Sequence, residues 1–278
     1  MKRLSAMSVG VALLVTLTIA GAAGARTQAT RIQIATALNA AQEIPAPTGD
    51  TSAGRGTFTA TIERSGADAV VTWQLSFSGL TGNAVAAHIH TGARGVSGPV
   101  SLALCGPCTS PASGTGTVSA EVLAAIQAGG TYVNVHTPTN GAGEIRGQVG
   151  IRANVRTPMT SRQEVPKPKG SVARATGTFT GTLTKAGSTV TLSWRLNFAR
   201  LTGRAVAAHI HTGVRGKSGP VSLALCGPCR NGQRGTATLR PAVVAALESG
   251  RAYVNVHTKT NAAGEIRGQV AAVPLTLT

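Results

Sequence analysis

The six histidines form two sets of three, and their spacing suggests metal chemistry. His88 and His90 are one residue apart, so on a β-strand both would point to the same side. His136 ends a second apolar, strand-like segment, and Glu144 begins a third. Three imidazoles and one carboxylate on a shared face would be a suitable ligand set for Zn or Cu. The second set has the same spacing and consists of His209, His211, His257 and Glu265.

Two other interpretations of these histidines stay open at this point. The imidazoles could form a hydrogen-bonded network that fixes strand register, with Glu144 paired to Arg146 or to a histidine. They could also line a site for another ligand. Spacing alone does not show that the strands are neighbours.

The four cysteines form two Cys-Gly-Pro-Cys pairs, Cys105 with Cys108 and Cys226 with Cys229. This tetrapeptide suggests a thiol oxidoreductase, but redox-active pairs begin a helix whose N-terminus lowers the thiol pKa. Here loop-like residues follow each pair, and paired cysteines in an exported chain are typically structural disulfides. We therefore predict two disulfides and keep oxidoreductase activity and a mixed His/Cys metal site as alternatives.

The elements that position these residues occur twice. Residues 80–108 and 201–229 are identical at 26 of 29 positions, at an offset of 121 residues. A repeat of this length is a whole domain, so we predict domains at 26–150 and 151–278, joined by a short linker near residues 150–158.

Apolar residues alternate with polar ones in most segments of each copy, as Val71, Trp73, Leu75 and Phe77 illustrate. This pattern predicts an all-β fold of two tandem antiparallel sandwich or barrel domains, each with one short helix. Ser119 is the expected N-cap of the first helix, and Pro241 begins the second. The predicted strands of the first copy are residues 56–62, 71–77, 84–90, 100–104, 131–136 and 144–149.

Four segments occur in fixed order, and all four recur in the second copy: Ala-Gln-Glu-Ile-Pro at 41–45, Ala-His-Ile-His-Thr-Gly at 87–92, Tyr-Val-Asn-Val-His-Thr at 132–137 and Gly-Glu-Ile-Arg-Gly at 143–147. Together they resemble the chordin-type (CHRD) domain. The resemblance implies a β-rich extracellular module found in animal chordins and in many exported bacterial proteins, and it implies little about chemistry. The growth-factor antagonism of chordins depends on cysteine-rich modules that this chain lacks.

The first 25 residues have the pattern of a secretory signal peptide: two basic residues, an apolar run and Ala-Gly-Ala before Arg26. An uncleaved anchor is the alternative. No later segment is long and apolar enough to span a bilayer as a helix. We therefore expect a secreted, periplasmic or cell-envelope protein.

The net charge of +17 lies almost entirely in the second copy. Residues 26–150 carry six basic and six acidic residues, whereas residues 151–278 carry 18 basic and three acidic ones. Charge of this size acts on partners, and the polyanions outside a cell are surface polymers, acidic lipids and DNA. Sequence-specific nucleic-acid binding is not expected, since no recognition helix or aromatic stacking motif is present.

These observations favour a non-enzymatic, exported binding protein whose basic second domain attaches to an anionic polymer or lipid surface. A mononuclear Zn or Cu protein with one histidine set in each domain is the first alternative. A thiol oxidoreductase is the second.

Overall fold

A computed structural model describes residues 31–277, so the predicted signal peptide lies outside the described residues. The predicted all-β fold with one short helix in each copy is confirmed. The first copy contains β1 (Arg31–Asn39), β2 (Arg55–Ser65), β3 (Asp68–Ser78), β4 (Ala86–Thr91), β5 (Val100–Cys105), β6 (Ala112–Val118), α1 (Ala120–Gln127), β7 (Thr131–His136) and β8 (Ile145–Gln148). The second contains β9 (Gly150–Thr160), β10 (Thr176–Ala186), β11 (Thr189–Ala199), β12 (Ala205–Thr212), β13 (Val221–Cys226), β14 (Gln233–Leu239), α2 (Pro241–Glu248), β15 (Ala252–Thr258) and β16 (Ile266–Gln269). Short 3-10 turns follow β1 and β9, at Ala40–Gln42 and Ser161–Gln163.

Each copy is a sandwich of two antiparallel layers. In the first copy one layer has the strand order β1-β2-β3-β6 and the other β8-β7-β4-β5. In the second copy the corresponding orders are β9-β10-β11-β14 and β16-β15-β12-β13. The layers enclose a core of aliphatic side chains and a few aromatic ones, including Phe58 and Trp73 in the first copy.

Strand alternation explains which side chains enter the core. Along β3 the side chains of Val71, Trp73 and Leu75 are buried, while the intervening residues Thr72 and Gln74 are exposed. Period-two alternation of this kind places every second side chain between the layers. The opposite face of this layer is therefore polar.

The predicted starts of both helices are confirmed. The Ser119 hydroxyl accepts a hydrogen bond from the Val122 amide and caps α1, and Gly129 follows the helix with φ of +72°. Pro241 occupies the first turn of α2, where its missing N–H costs nothing. Helix α1 buries Leu123 and Ile126 against the sheet.

The segment predicted as a linker is a strand. Arg152 of β9 pairs with Gln33 of β1, and Gly150 pairs with Ala35, so one sheet continues from the first copy into the second. The reason is that β1 leaves part of its edge open, and backbone groups at such an edge pair with an available strand. The segment after β16 also returns to the first copy, where the Leu277 amide donates to Gln127 Oε1.

Candidate metal centre

The histidines of the first copy come from two adjacent strands of the same layer. In the β4–β7 pair His88 lies opposite Asn134, and Ala86 lies opposite His136. Directly opposed residues of an antiparallel pair share a face, so the three imidazoles point to one side of the sheet. One ligand nitrogen from each of His88, His90 and His136 lies within 4.8 Å of the others. The tertiary structure therefore assembles the predicted histidine set.

Backbone carbonyls fix the orientation of two of the rings. His90 Nδ1 lies 2.9 Å from the Gly98 carbonyl oxygen, and His136 Nδ1 lies 3.0 Å from that of Gly141. A carbonyl oxygen can only accept, so each Nδ1 carries the proton and each Nε2 offers a lone pair. Metal-binding histidines are typically held by a hydrogen bond of this kind on the second nitrogen.

The remaining ring nitrogens lie close together. His88 Nδ1 lies 3.1 Å from His136 Nε2 and donates a hydrogen bond to it, because the proton of His136 is on Nδ1. A bound cation would replace this hydrogen bond. His90 is only 8 % exposed, and its Nε2 meets no geometric hydrogen-bond partner within residues 31–277. The neighbouring Asn134 side chain, whose Oδ1 is also unpartnered, is a polar group that acts on this imidazole. An unsatisfied buried nitrogen costs free energy that a bound cation would recover. The arrangement offers three neutral imidazole ligands.

The environment keeps the imidazoles neutral. Burial, followed by the proximity of His136 and His90, lowers the pKa of His88 below its ordinary value. Burial also lowers the pKa values of His90 and His136. A metal ion binds only the unprotonated ring, so these shifts extend the pH range in which the site can accept one.

A buried arginine supports the loop that carries the Gly98 carbonyl. The Tyr132 ring stacks on the His90 ring at 4.8 Å, and the Arg146 guanidinium lies 3.4 Å from the centre of the Tyr132 ring. Arg146 also donates hydrogen bonds to the Ala93 and Val96 carbonyls. Sequence reasoning considered Arg146 only as one of two alternative partners for Glu144 and missed this role. The recurrence of Tyr132 and Arg146 as Tyr253 and Arg267 was the available signal.

The second copy repeats this geometry. His209, His211 and His257 form an equivalent triad, and His209 Nδ1 lies 3.0 Å from His257 Nε2. His211 Nδ1 and His257 Nδ1 are held by the carbonyls of Gly219 and Ala262, each at 2.9 Å. Burial and then the neighbouring His257 and His211 lower the pKa of His209 to about 4.

A family comparison identifies the repeated unit. The family model described as CHRD domain matches residues 34–149 and, separately, residues 155–270. The chain belongs to the CHRD domain family. Comparisons with curated proteins and with solved structures found no match. Among residues 31–277, no helix combines the length and apolar character needed to cross a membrane.

The two glutamates predicted as metal ligands lie in a different network of each CHRD domain. Glu144 is fully buried and accepts hydrogen bonds from the Thr81 amide and hydroxyl, the Thr137 hydroxyl and the Asn140 amide group. Burial raises its pKa, but these hydrogen bonds lower it further, so the net shift is downward. Glu265 has the same surroundings. The difference arises because Glu144 precedes β8 and its carboxylate turns toward the loop containing Thr81, not toward the histidines.

A second buried carboxylate lies beside the centre. Glu43 is 2 % exposed and accepts a hydrogen bond from the Ile44 amide, and Asn134 and Arg146 are near it. Burial raises its pKa to about 7 despite the opposing effects of the Ile44 amide and Arg146. Glu164 in the second CHRD domain has the same shift to about 7 for the same leading cause. Both glutamates belong to repeated segments, at 41–45 and 162–166, and sequence reasoning assigned them no role.

Each CHRD domain brings its two cysteines together at the end of a strand. The sulfur atoms of Cys105 and Cys108 are 2.17 Å apart, and those of Cys226 and Cys229 are 2.10 Å apart. Cys105 ends β5, and the chain continues into β6 without a helix. Within the described residues, no cysteine joins the histidine groups. This context lacks the helix N-terminus expected of a redox-active pair.

Proposed function

We propose that this protein is an exported, non-enzymatic binding protein that holds one Zn or Cu ion in each CHRD domain. The supporting observation is the buried, unpartnered Nε2 of His90, in a group of three histidines whose ligand nitrogens lie within 4.8 Å of one another, and it recurs at His211. Imidazole nitrogen suits both Zn and Cu, and three histidines are an established ligand set for Zn. Signal cleavage and export remain part of the proposal.

The test is metal stoichiometry of the full chain, purified without a histidine tag and stripped with a chelator. After reconstitution with Zn²⁺ or Cu²⁺, elemental analysis should give about two ions per chain. His88→Ala should leave about one ion, and His88→Ala with His209→Ala should leave none. Gln74→Ala, on the polar outer face of the first CHRD domain, is the control and should retain two.

A different result would favour the hydrogen-bonded network. In that case the parent protein would take up no stoichiometric metal, while His88→Ala would still lower the unfolding temperature. Metal that survives in the double variant would place the binding site elsewhere. Thermal unfolding of each variant shows whether a loss of metal reflects a loss of fold.

The distribution of charge favours attachment to an anionic polymer as a second function. Of the 18 basic residues in 151–278, all are exposed except Lys185, which is half-buried, and Arg267, which is buried. None of the three acidic residues of this segment is exposed. The second CHRD domain therefore presents a positive surface with no exposed carboxylate, which attracts polyanions over a distance set by the salt concentration.

Binding should be measured on the full chain, because cutting between the CHRD domains would remove the pairing of β1 with β9. We expect the chain to bind a resin carrying an acidic polysaccharide at neutral pH and to elute with added salt. A neutral dextran resin is the control. Retention that does not depend on salt, or equal retention on both resins, would contradict this function.

A further inference from the structure

A continuous trough crosses the polar outer face of the sheet where the two CHRD domains join. One part, of about 510 Å³, is lined by residues of both domains, among them Gln33 and Arg152. The other part, of about 760 Å³, lies on the second domain and is lined by Arg156, Arg195 and Arg234. Asn154 and Thr182 line both parts, so the two form one surface.

Three arginines of the trough form a row across four strands. Arg156 of β9 lies opposite Thr180 of β10, and Thr180 lies opposite Arg195 of β11. Arg195 in turn lies opposite Arg234 of β14. With neighbouring strands about 4.8 Å apart, the row spans roughly 14 Å of the surface.

Ion pairing does not explain this row. The only ion pair among residues 31–277 joins Arg31 and Glu63, so none of the three guanidinium groups has a carboxylate partner there. Like charges placed directly opposite each other, as in Arg195 and Arg234, are destabilising. The first CHRD domain forms the same layer with uncharged residues at the three positions, which are Ala35, Gln74 and Ser113.

We propose that the trough binds a linear acidic polysaccharide, with the arginines of the row contacting successive carboxylate or sulfate groups. Guanidinium groups form paired hydrogen bonds with such planar or multi-oxygen anions. The hydroxyls of Ser193 and Thr236 line the same trough and match a polyhydroxylated chain. This inference rests on the proposed attachment of the second domain to anionic polymers, and it assigns that attachment to one site and one ligand class.

Other polyanions fit the trough less well. Single-stranded nucleic acid is held by exposed aromatic side chains that stack on bases, whereas the large apolar side chains exposed in residues 31–277 are all Ile or Val. A membrane offers one flat array of headgroups, whereas the arginines form a row along a shallow, open trough that continues from one domain onto the other. A flexible chain can lie along the recess and reach all three arginines.

The test replaces each arginine of the row with its counterpart from the first domain, in the full chain: Arg156→Ala, Arg195→Gln and Arg234→Ser. The matched control also removes three positive charges, but from a different cavity. Each arginine is again replaced by the residue at the corresponding position of the first domain: Arg200→Gly, Arg204→Asn and Arg230→Thr. Affinity for polygalacturonate and for dextran sulfate is measured at about 0.15 M salt. The row variant should bind about tenfold more weakly or worse, and the control should lose less than about threefold.

Three outcomes would overturn the inference, and they are distinguishable. If the unaltered chain binds neither polysaccharide, the proposed attachment itself fails. If both triple variants lose affinity equally, attachment depends on net charge and the trough is not the site. If polyphosphate, single-stranded DNA or phosphatidylglycerol vesicles bind more tightly than the polysaccharides and are equally sensitive to the row variant, the ligand class is wrong. Equal unfolding temperatures for the three proteins confirm that the comparison concerns binding alone.

Discussion

The two CHRD domains are nearly identical around their histidines and very different on their outer faces. The His88–His136 and His209–His257 nitrogen separations are 3.1 and 3.0 Å, and the arginine lies 3.4 Å from the tyrosine ring in both. The outer face of the first domain carries no charge along the row that carries three arginines in the second. The fold and the histidine site therefore do not depend on surface charge, which was free to differ.

The largest effect should come from the glycine that makes room for Glu43. Gly143 has φ of +130°, and a Cβ there would collide with the Glu43 carboxylate and the Asn134 amide. We expect Gly143→Ala to destabilise the protein by about 3 kcal/mol and to lower the unfolding temperature by roughly 10 °C. Gly264→Ala should have an equal effect in the second domain, because its surroundings are the same.

Gly141→Ala is the control for this prediction. A Cβ at Gly141 would meet no atom within 4 Å, and the second domain already has alanine at the matching position, Ala262. This variant should unfold at the temperature of the parent protein. A mild effect of Gly143→Ala, or a clear difference between Gly143→Ala and Gly264→Ala, would show that the two domains are not equivalent at this point.

A smaller, pH-dependent effect should separate the two buried glutamates of each domain. The pKa of Glu43 is raised from 4.5 to about 7, so its contribution to stability is full below pH 4.5 and is lost as the pH rises through 7. A glutamine side chain does not titrate. Relative to that of the parent, the free energy of unfolding of Glu43→Gln should therefore rise by about 1 to 3 kcal/mol between pH 5 and pH 8.

Glu144→Gln should behave in the opposite way. Hydrogen bonds hold the pKa of Glu144 below its ordinary value despite burial, so its contribution is present above that value and is lost as the pH falls. The variant should unfold at a lower temperature than the parent at pH 7, and the difference between the two unfolding temperatures should decrease as the pH falls. Unfolding temperatures measured from pH 3 to pH 8 test both variants, and parallel curves for Glu43→Gln and Glu144→Gln would contradict the assignment.

The smallest effect concerns the metal affinities of the two domains, if both bind as proposed. The positive surface of the second domain should weaken cation binding to the His209 triad by a few-fold at about 0.01 M salt, where charges act over about 30 Å. The difference should disappear at about 1 M salt, where they act over about 3 Å. His209→Ala and His88→Ala each leave one site, so Zn²⁺ titration of the two variants isolates them. A difference in Zn²⁺ affinity that persists at high salt would show that surface charge is not its cause.

Much of the fold could be predicted because its signals are local. Alternation along residues 71–77 located β3, and Ser119 and Pro241 located the starts of the two helices. Strand β6 was missed because its sequence is a run of Ala, Ser, Gly and Thr without apolar alternation. Its glycines are explained only by packing, since a Cβ at Gly114 would meet the Trp73 ring and one at Gly116 would meet Leu102.

The sequence by itself determined the repeat, the strand pattern, the shared face of His88 and His90 and the concentration of charge in the second copy. Only the tertiary structure decided that His136 joins them, that Glu144 turns away toward Thr81 and that β9 continues the sheet of the first domain. The physical reason is separation along the chain: the hydrogen bond from Thr81 to Glu144 spans 63 residues and that from His88 to His136 spans 48. Periodicity fixes the side of a strand on which a residue lies, whereas strand order and loop path fix which residues meet.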